Sequence, residues 1–162
     1  MVGKLGLLLI FLQICHFAMS NKTTPEIITQ ASSIDELESN FPLQIGKKFY
    51  RIEDQRVNWY KAAHICRQLG GNLLNIESSD EMDDLLSIIP IDRYWISAYC
   101  LAKDREFISI ATGEIMPYFR WDYGEPNNRN GVEFCGEFDR TALNDNSCII
   151  LRKFICEAKI MY

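Results

Sequence analysis

The chain has 162 residues, of which 48% are apolar, and this suits one domain with a hydrophobic core. Its formal net charge of −5 argues against nucleic acid or an anionic membrane as the main partner. A glycine-rich phosphate loop is absent from the sequence, and this argues against nucleotide chemistry.

The first 20 residues have the pattern of a secretory signal peptide. Lys4 supplies the positive charge, residues 5–14 form an apolar run, and residues 18–20 form a small-x-small cleavage site. The run is shorter than the roughly 20 residues that a membrane span needs, although a signal anchor is an alternative. No later segment is apolar enough to insert into a membrane. We therefore expect a secreted, extracellular protein that begins at Asn21.

Residues 21–44 are polar, contain Pro25 and Pro42, and show no clear periodicity. They predict a mobile N-terminal segment or short neck. Asn21 begins an Asn-Lys-Thr glycosylation sequon, so a glycoprotein is expected. The remaining residues, 45–162, are predicted to form the domain.

Two helices are predicted early in this domain. The first follows the N-cap Asn58, places Cys66 on its apolar face and stops at Gly70 or the next glycine. The second begins at Ser78, which has capping-box spacing to Glu81, and ends before residue 90, a proline.

Short strands surround and follow these helices, with long loops between them. Two helices followed by short strands and loops indicate an α+β fold. The strands are predicted at residues 49–52, 94–98, 107–110, 118–121 and 148–156.

Residues 121–148 concentrate side chains with hard oxygen donors between two cysteines. Calcium takes about 6–8 oxygen ligands, and this stretch contains no histidine, so zinc or copper fits poorly. The stretch therefore predicts a Ca²⁺ site. The candidate ligands are Glu125, Asn127, Glu133, Asn144 and Asp145.

The cysteines predict disulfides because secretion exposes them to an oxidising compartment. Their number beyond the leader is odd, so one thiol remains after two bridges, and sequence alone does not choose the pairing. These cysteines are Cys66, Cys100, Cys135, Cys148 and Cys156.

Several motifs in order along the chain resemble the C-type lectin domain, including the secreted single-domain form of insects. They are the cysteine-bearing helix YKAAHICRQLGGNLLNI, a Trp-Ile strand, a G-E-P-N loop, a Glu-x-Cys, an N-D-x-x-C and a final F-I-C-E. The resemblance covers residues 45–157. It implies an α+β C-type lectin fold with two helices, a small antiparallel sheet and long calcium-binding loops.

The resemblance also implies two disulfides. Cys66 would pair with Cys156, and Cys135 with Cys148, so that the second bridge joins the two stretches carrying candidate ligands. Cys100 stands outside this scheme. Two alternatives remain open for it: a bridge that forms a homodimer, or a buried thiol that acts as a small hydrophobe.

In this family the E-P-N loop, the next glutamate and the Asn-Asp pair bind one Ca²⁺, and sugar hydroxyls complete its coordination. The resemblance also implies a cis peptide bond before Pro126. The order E-P-N resembles the motif of the mannose-type subset of the family. The partners of that subset are glycans or glycoproteins bearing mannose, fucose or N-acetylglucosamine. Recognition of microbial or host glycans is one role that the resemblance implies. The residues that match the metal and carbohydrate ligands are Glu125, Asn127, Glu133, Asn144 and Asp145.

The sequence departs from the family pattern in three respects. Leu143 replaces the usual Trp before the Asn-Asp pair. Asn128 and Phe134 stand where an auxiliary calcium site needs acidic residues, so one ion is expected. The Trp-Ile strand continues into Ser97 rather than glycine.

Two other functions are alternatives to carbohydrate binding. Glu125 and Glu133 could be the carboxylate pair of a glycosidase, but calcium coordination would leave neither free for proton transfer. The loop could instead recognise a polypeptide, with calcium structural or absent.

Overall fold

The structure is a computed structural model that describes residues 28–100 and 106–159, with the backbone alone for residues 28–33. The predicted leader and the sequon at Asn21 lie outside the described residues. The chain divides into two compact units, Met1–Ser32 and Ser33–Tyr162. The second unit contains every strand of the described residues and every candidate ligand.

The described residues form three α-helices, eight strands and a short 3₁₀ helix, which confirms the α+β class. The helices are α1 Ile28–Asn40, α2 Trp59–Gln68 and α3 Ser79–Ile88, and the 3₁₀ helix is Arg129–Gly131. The strands are β1 Leu43–Ile45, β2 Lys48–Val57, β3 Asn72–Leu73, β4 Arg93–Cys100, β5 Phe107–Ser109, β6 Cys135–Asp139, β7 Ala142–Asn146 and β8 Arg152–Lys159.

The strands form one sheet in the order β1-β2-β8-β4-β6-β7, with β3 beside β8 and β5 beside β4. Strands β2 and β8 form a long antiparallel ladder. The sheet is mixed rather than purely antiparallel, because β4 and β8 run parallel and place Trp95 opposite Phe154.

Both faces of the sheet are buried. The neighbouring residues Phe154 and Ile155 of β8 belong to different hydrophobic clusters, because successive side chains of a strand point to opposite faces. Helix α2 contributes Trp59 to the first cluster, and helix α3 contributes Met82 to the second. The sheet is therefore packed between these two helices.

Helix α2 begins and ends where local signals predict. The Asn58 side-chain oxygen accepts a hydrogen bond from the Lys61 N–H at 2.9 Å. Gly70, just past the helix, has φ +87°, a left-handed conformation that glycine adopts without steric cost.

Helix α3 begins with a modified capping box. Ser78 Oγ accepts the Glu81 N–H at 3.2 Å, as predicted. The Glu81 carboxylate, however, accepts the N–H of Glu77 rather than that of Ser78, at 2.7 Å. The same carboxylate also accepts from Lys48 at 2.8 Å, so tertiary contacts decide its position.

The two predicted disulfides are confirmed. Cys66 of α2 bonds to Cys156 of β8, and Cys135 of β6 bonds to Cys148. Cys100 lies outside these bridges and is 6% exposed in the core. This burial favours a thiol that packs as a small hydrophobe over one that bridges two chains.

Several elements differ from the sequence-based expectations. Helix α1 and strand β1 lie where no regular structure was predicted. The predicted strand at residues 118–121 is wrong: Trp121 makes an isolated bridge to Leu143. The predicted strand at 148–156 begins only at Arg152, because residues 148–150 form a turn in which the Ile150 N–H bonds to the Ser147 carbonyl.

Candidate calcium and ligand site

Strand β7 and the loop that precedes β6 bring the predicted ligands close together. The Leu143 N–H donates to the Arg120 carbonyl at 2.7 Å, and the Asp122 N–H donates to the Leu143 carbonyl at 2.8 Å. Leu143 itself is fully buried, so an apolar residue fills the position where tryptophan is usual. These contacts place the E-P-N loop beside the strand that carries Asn144 and Asp145.

Asp145 is the centre of this arrangement. Its side chain is 1% exposed, and its two carboxylate oxygens accept the N–H groups of Asn127 at 2.9 Å and Asn128 at 2.8 Å. The carboxylate therefore holds the backbone of the loop directly against β7.

Glu125 and Asn127 face each other across the proline of the loop. The Glu125 carboxylate accepts the Asn127 N–H at 3.0 Å and the Asn127 side-chain amide at 2.5 Å. The peptide bond between Glu125 and Pro126 is cis.

Glu133 is tied to the same loop by two hydrogen bonds. Its carboxylate accepts the Arg129 N–H at 2.7 Å, and its own N–H donates to the Asn128 side-chain oxygen at 3.0 Å. Asn128 thus links Asp145 to Glu133. This role was not predicted from the sequence.

Asn144 precedes Asp145 in β7 and contacts a different set of residues. Its side-chain amide donates to Glu137 at 3.0 Å and to the Asp145 carbonyl at 2.6 Å. Hydrogen bonds, either direct or through a common residue, therefore connect Glu125, Asn127, Glu133 and Asp145. Asn144 instead contacts Glu137.

That neighbour, Glu137, was not identified from the sequence. It is fully buried in β6 and accepts hydrogen bonds from Asn144, from Asn146 at 3.1 Å and from the Arg152 guanidinium at 2.7 Å. A charged residue at an inward-facing position of a strand would indicate such a buried role. The sequence, however, does not predict strand β6.

The candidate ligands form a concentration of negative charge. Burial, together with the nearby Asp145 carboxylate, raises the pKa of Glu125. Burial also raises the pKa of Glu133, and Asp145 adds to this effect, although the Arg129 N–H and the charge of the Arg129 guanidinium oppose it. Within residues 28–100 and 106–159, none of these three carboxylates forms an ion pair.

The donor set fits a calcium ion in its chemistry. Three carboxylates and two side-chain amides supply oxygen atoms of mixed charge, as Ca²⁺ prefers. Among the described residues, no three His, Cys, Asp or Glu side chains are placed so that they could hold a metal ion together, so the fit is one of donor chemistry.

Comparison with known proteins identifies the family of this fold and site. A family model described as the Lectin C-type domain matches residues 55–158. C-type lectin 37Db of Drosophila melanogaster is 36% identical over 157 residues, which cover 93% of this chain and 96% of that protein. The chain belongs to the C-type lectin domain family.

Solved C-type lectin structures are similar in fold. The carbohydrate-recognition domain of cow CD23, determined in the presence of a GlcNAc2Man3 oligosaccharide, has a TM-score of 0.68 and 27% identity over 74% of this chain and 94% of that chain. A calcium-independent type II antifreeze protein has a TM-score of 0.67 and 20% identity over 74% and 92% of the two chains. At that identity the likeness shows the fold alone.

Family membership decides between the catalytic and non-catalytic alternatives. C-type lectin domains generally bind Ca²⁺ and are non-catalytic, so the glycosidase alternative for Glu125 and Glu133 is excluded. In the part of the chain that the structure describes, no helix of this C-type lectin is long and apolar enough to cross a membrane.

Proposed function

We propose that this C-type lectin is secreted and binds mannose-type glycans through one Ca²⁺ ion held by the residues predicted from the sequence. The observation that carries the proposal is the Asp145 carboxylate. It is 1% exposed, accepts the backbone N–H groups of Asn127 and Asn128, and lies near two further carboxylates. A buried carboxylate beside two partly exposed ones is costly unless a cation compensates the charge.

Calcium suits this cluster better than a transition metal because every candidate donor atom is an oxygen. When bound, the ion would compensate the carboxylates and offer a coordination point to sugar hydroxyls. Asn144 already directs its amide hydrogens at Glu137 and the Asp145 carbonyl, and this leaves its amide oxygen for a cation. Glu137 is therefore a positioning residue for Asn144.

The sugar class is proposed from the pattern of donors and acceptors. In the E-P-N order, a carboxylate accepts from a hydroxyl and an amide donates to one, so two adjacent hydroxyls of mannose, fucose or N-acetylglucosamine can be bound together. The cow CD23 domain, determined with a mannose-containing oligosaccharide, supports this class at 27% identity.

Calorimetry would test calcium and sugar binding in sequence. We expect a heat of Ca²⁺ binding, followed by binding of methyl α-mannoside that EDTA abolishes. Glu133→Gln removes one carboxylate ligand and should weaken Ca²⁺ binding by about tenfold or more. Glu114→Gln removes the same charge from an exposed turn residue, and it should change neither affinity.

Glycan binding would be ruled out if no monosaccharide of a broad panel gave calcium-dependent heat. The second candidate is then a protein-binding C-type lectin-like domain. Two exposed residues beside the candidate ligands favour it, Tyr123 at 102% and Val132 at 51% exposure, because aromatic and apolar side chains anchor protein interfaces. Partner binding that survives EDTA and excess mannose would support that candidate.

A further inference from the structure

Arg129 is an exposed cation in the middle of the candidate ligand loop. It lies between Asn127 and Glu133 and begins the 3₁₀ helix Arg129–Gly131. The calcium site proposed above does not use its side chain. This position places a positive charge at the rim of a site whose own side chains are anionic or neutral.

The guanidinium of Arg129 forms no ion pair or hydrogen bond within the described residues, although its charge acts on the nearby Glu133 carboxylate. In the ranges 28–100 and 106–159, Arg67 reaches the Ile110 carbonyl and six other arginines pair with carboxylates, whereas Arg129 does neither. The pairs are Arg51 with Glu53, Arg56 with Asp92, Arg93 with Asp139, Arg120 with Asp83, Arg140 with Asp139, and Arg152 with Glu137.

The backbone of Arg129 is held in place by the candidate ligands. Its N–H donates to the Glu133 carboxylate at 2.7 Å, and the turn is closed by the Gly131 N–H on the Asn128 carbonyl at 2.8 Å. Asn128 and Asn130, on either side, have positive φ values of 47° and 59°, a conformation that asparagine tolerates better than most residues. The backbone is thus fixed while the guanidinium remains available to a ligand.

Charge balance gives this arrangement a consequence for ligand choice. Glu125, Glu133 and Asp145 together carry three negative charges, and Ca²⁺ would compensate two of them. The Arg129 charge would make the loaded site neutral, so that an anionic substituent on a bound sugar meets a cation instead of a net repulsion. The guanidinium offers paired N–H donors whose geometry matches phosphate and sulfate oxygens.

We propose that Arg129 makes this site selective for sugars that carry a phosphate or sulfate group. This inference rests on the proposed function, because calcium must first bind the sugar ring beside the arginine. The interaction is an exposed, charge-assisted contact, so the preference for the anionic sugar over its neutral counterpart is expected to be about 3- to 10-fold and to weaken with salt.

Matched sugars would test the preference by calorimetry in calcium at low ionic strength. Mannose is compared with mannose 6-phosphate, and N-acetylglucosamine with its 6-sulfate, and the ratio of dissociation constants within each pair is the readout. Arg129→Gln should bring both ratios to about 1, and Arg129→Lys should keep part of the preference because it keeps the charge. Arg140→Gln removes another exposed guanidinium, at the β6–β7 turn, and should leave both ratios unchanged.

The outcomes separate this inference from the proposed function. Binding of neutral mannose with equal ratios in the wild type and Arg129→Gln would overturn the role of Arg129 and leave the lectin function standing. A preference for one anion that Arg129→Gln removes would restrict the inference to that anion. If the wild type bound no sugar of either kind in calcium, the proposed function and this inference would both be wrong.

Discussion

Lys48 shows how single residues stabilise the sheet far from the candidate site. Its side chain is buried, and its ammonium donates to the Asn75 carbonyl at 2.7 Å, to Glu81 at 2.8 Å and to Glu157 at 3.0 Å. Burial opposes the charge, yet the carboxylates of Glu157 and Glu81 outweigh it and raise the pKa of Lys48. The ammonium therefore stays charged, and it faces more negative charge than it can balance alone.

This imbalance affects Glu157 in particular. Burial raises its pKa to about 7, and the Glu81 carboxylate adds to the effect, while Lys48 and the Asn75 N–H act against it. The native protein consequently keeps a proton on Glu157 at a pH where the unfolded chain has released it.

The free energy of unfolding should therefore fall as pH rises from about 4.5 to about 7, by at most about 1.4 kcal/mol per pH unit. Below this window both states hold the proton and the contribution is complete; above it both are ionised and the contribution is lost. Urea unfolding across the window measures the slope. Glu157→Gln, which cannot titrate, should have a smaller slope, whereas Glu114→Gln should keep the slope of the wild type; equal slopes in all three proteins would contradict the prediction.

At the scale of elements, two adjacent glycines join helix α2 to strand β3 for different reasons. A Cβ atom on Gly71 would overlap the Glu157 carbonyl oxygen and lie 2.5 Å from the Phe41 ring. A Cβ atom on Gly70 would meet nothing within 4 Å, but the residue has φ +87°. Gly71 is thus required for close packing and Gly70 for its backbone conformation.

Gly71→Ala should lower the free energy of unfolding by about 2–3 kcal/mol, because the overlap involves a backbone atom that cannot move aside. Gly70→Ala should cost about 1–2 kcal/mol, the strain of a left-handed conformation. Chemical denaturation of both variants measures the difference. Equal costs, or a larger cost at Gly70, would show that the strand next to Gly71 can shift.

The elements predicted correctly from sequence are those whose signals are local. Helices α2 and α3 have their caps, Asn58 and Ser78, within three residues of the N–H groups that they accept. The β6–β7 hairpin was missed because its turn places Arg140 at φ +59° without the Asn-Gly or Asp-Gly signature of such turns.

The candidate site, like the secondary structure, could be predicted only in part. The oxygen donors could be predicted because their residue types are visible in the sequence and their order resembles a known family. The roles of Glu137 and Asn128 depend on which strand faces which. Glu137 meets Asn144 only because the register of β6 and β7 pairs these two positions, and that register is set by a hairpin turn without a recognisable sequence signature.

At the scale of the whole molecule, the two disulfides have different functions. Cys66–Cys156 has a sequence separation of 90 and ties helix α2 to the sheet, whereas Cys135–Cys148 has a separation of 13 and borders the candidate site. By loop-closure entropy the first is worth about 4–5 kcal/mol and the second about 3 kcal/mol.

Replacing each cysteine pair by serine should separate stability from ligand binding. Loss of Cys66–Cys156 should give the larger drop in the free energy of unfolding and leave the calcium affinity of the folded fraction unchanged. Loss of Cys135–Cys148 should weaken calcium binding by about tenfold, because the two ligand-bearing stretches are no longer held in position. Denaturation and calcium titration measure the two effects, and equal changes in affinity would contradict this assignment.

The long β2–β8 ladder also determines where the domain can be attached to a support or carrier. Lys48 and Lys159 are neighbours at one end of the ladder, while Arg152 at the other end bonds to Glu137 beneath the candidate ligands. These two ends are about 20 Å apart along β8. The backbone therefore leaves β8 at Lys159 on the side away from the loop. A solid support, a carrier or further copies of the domain can be joined there without obstructing access to the ligand.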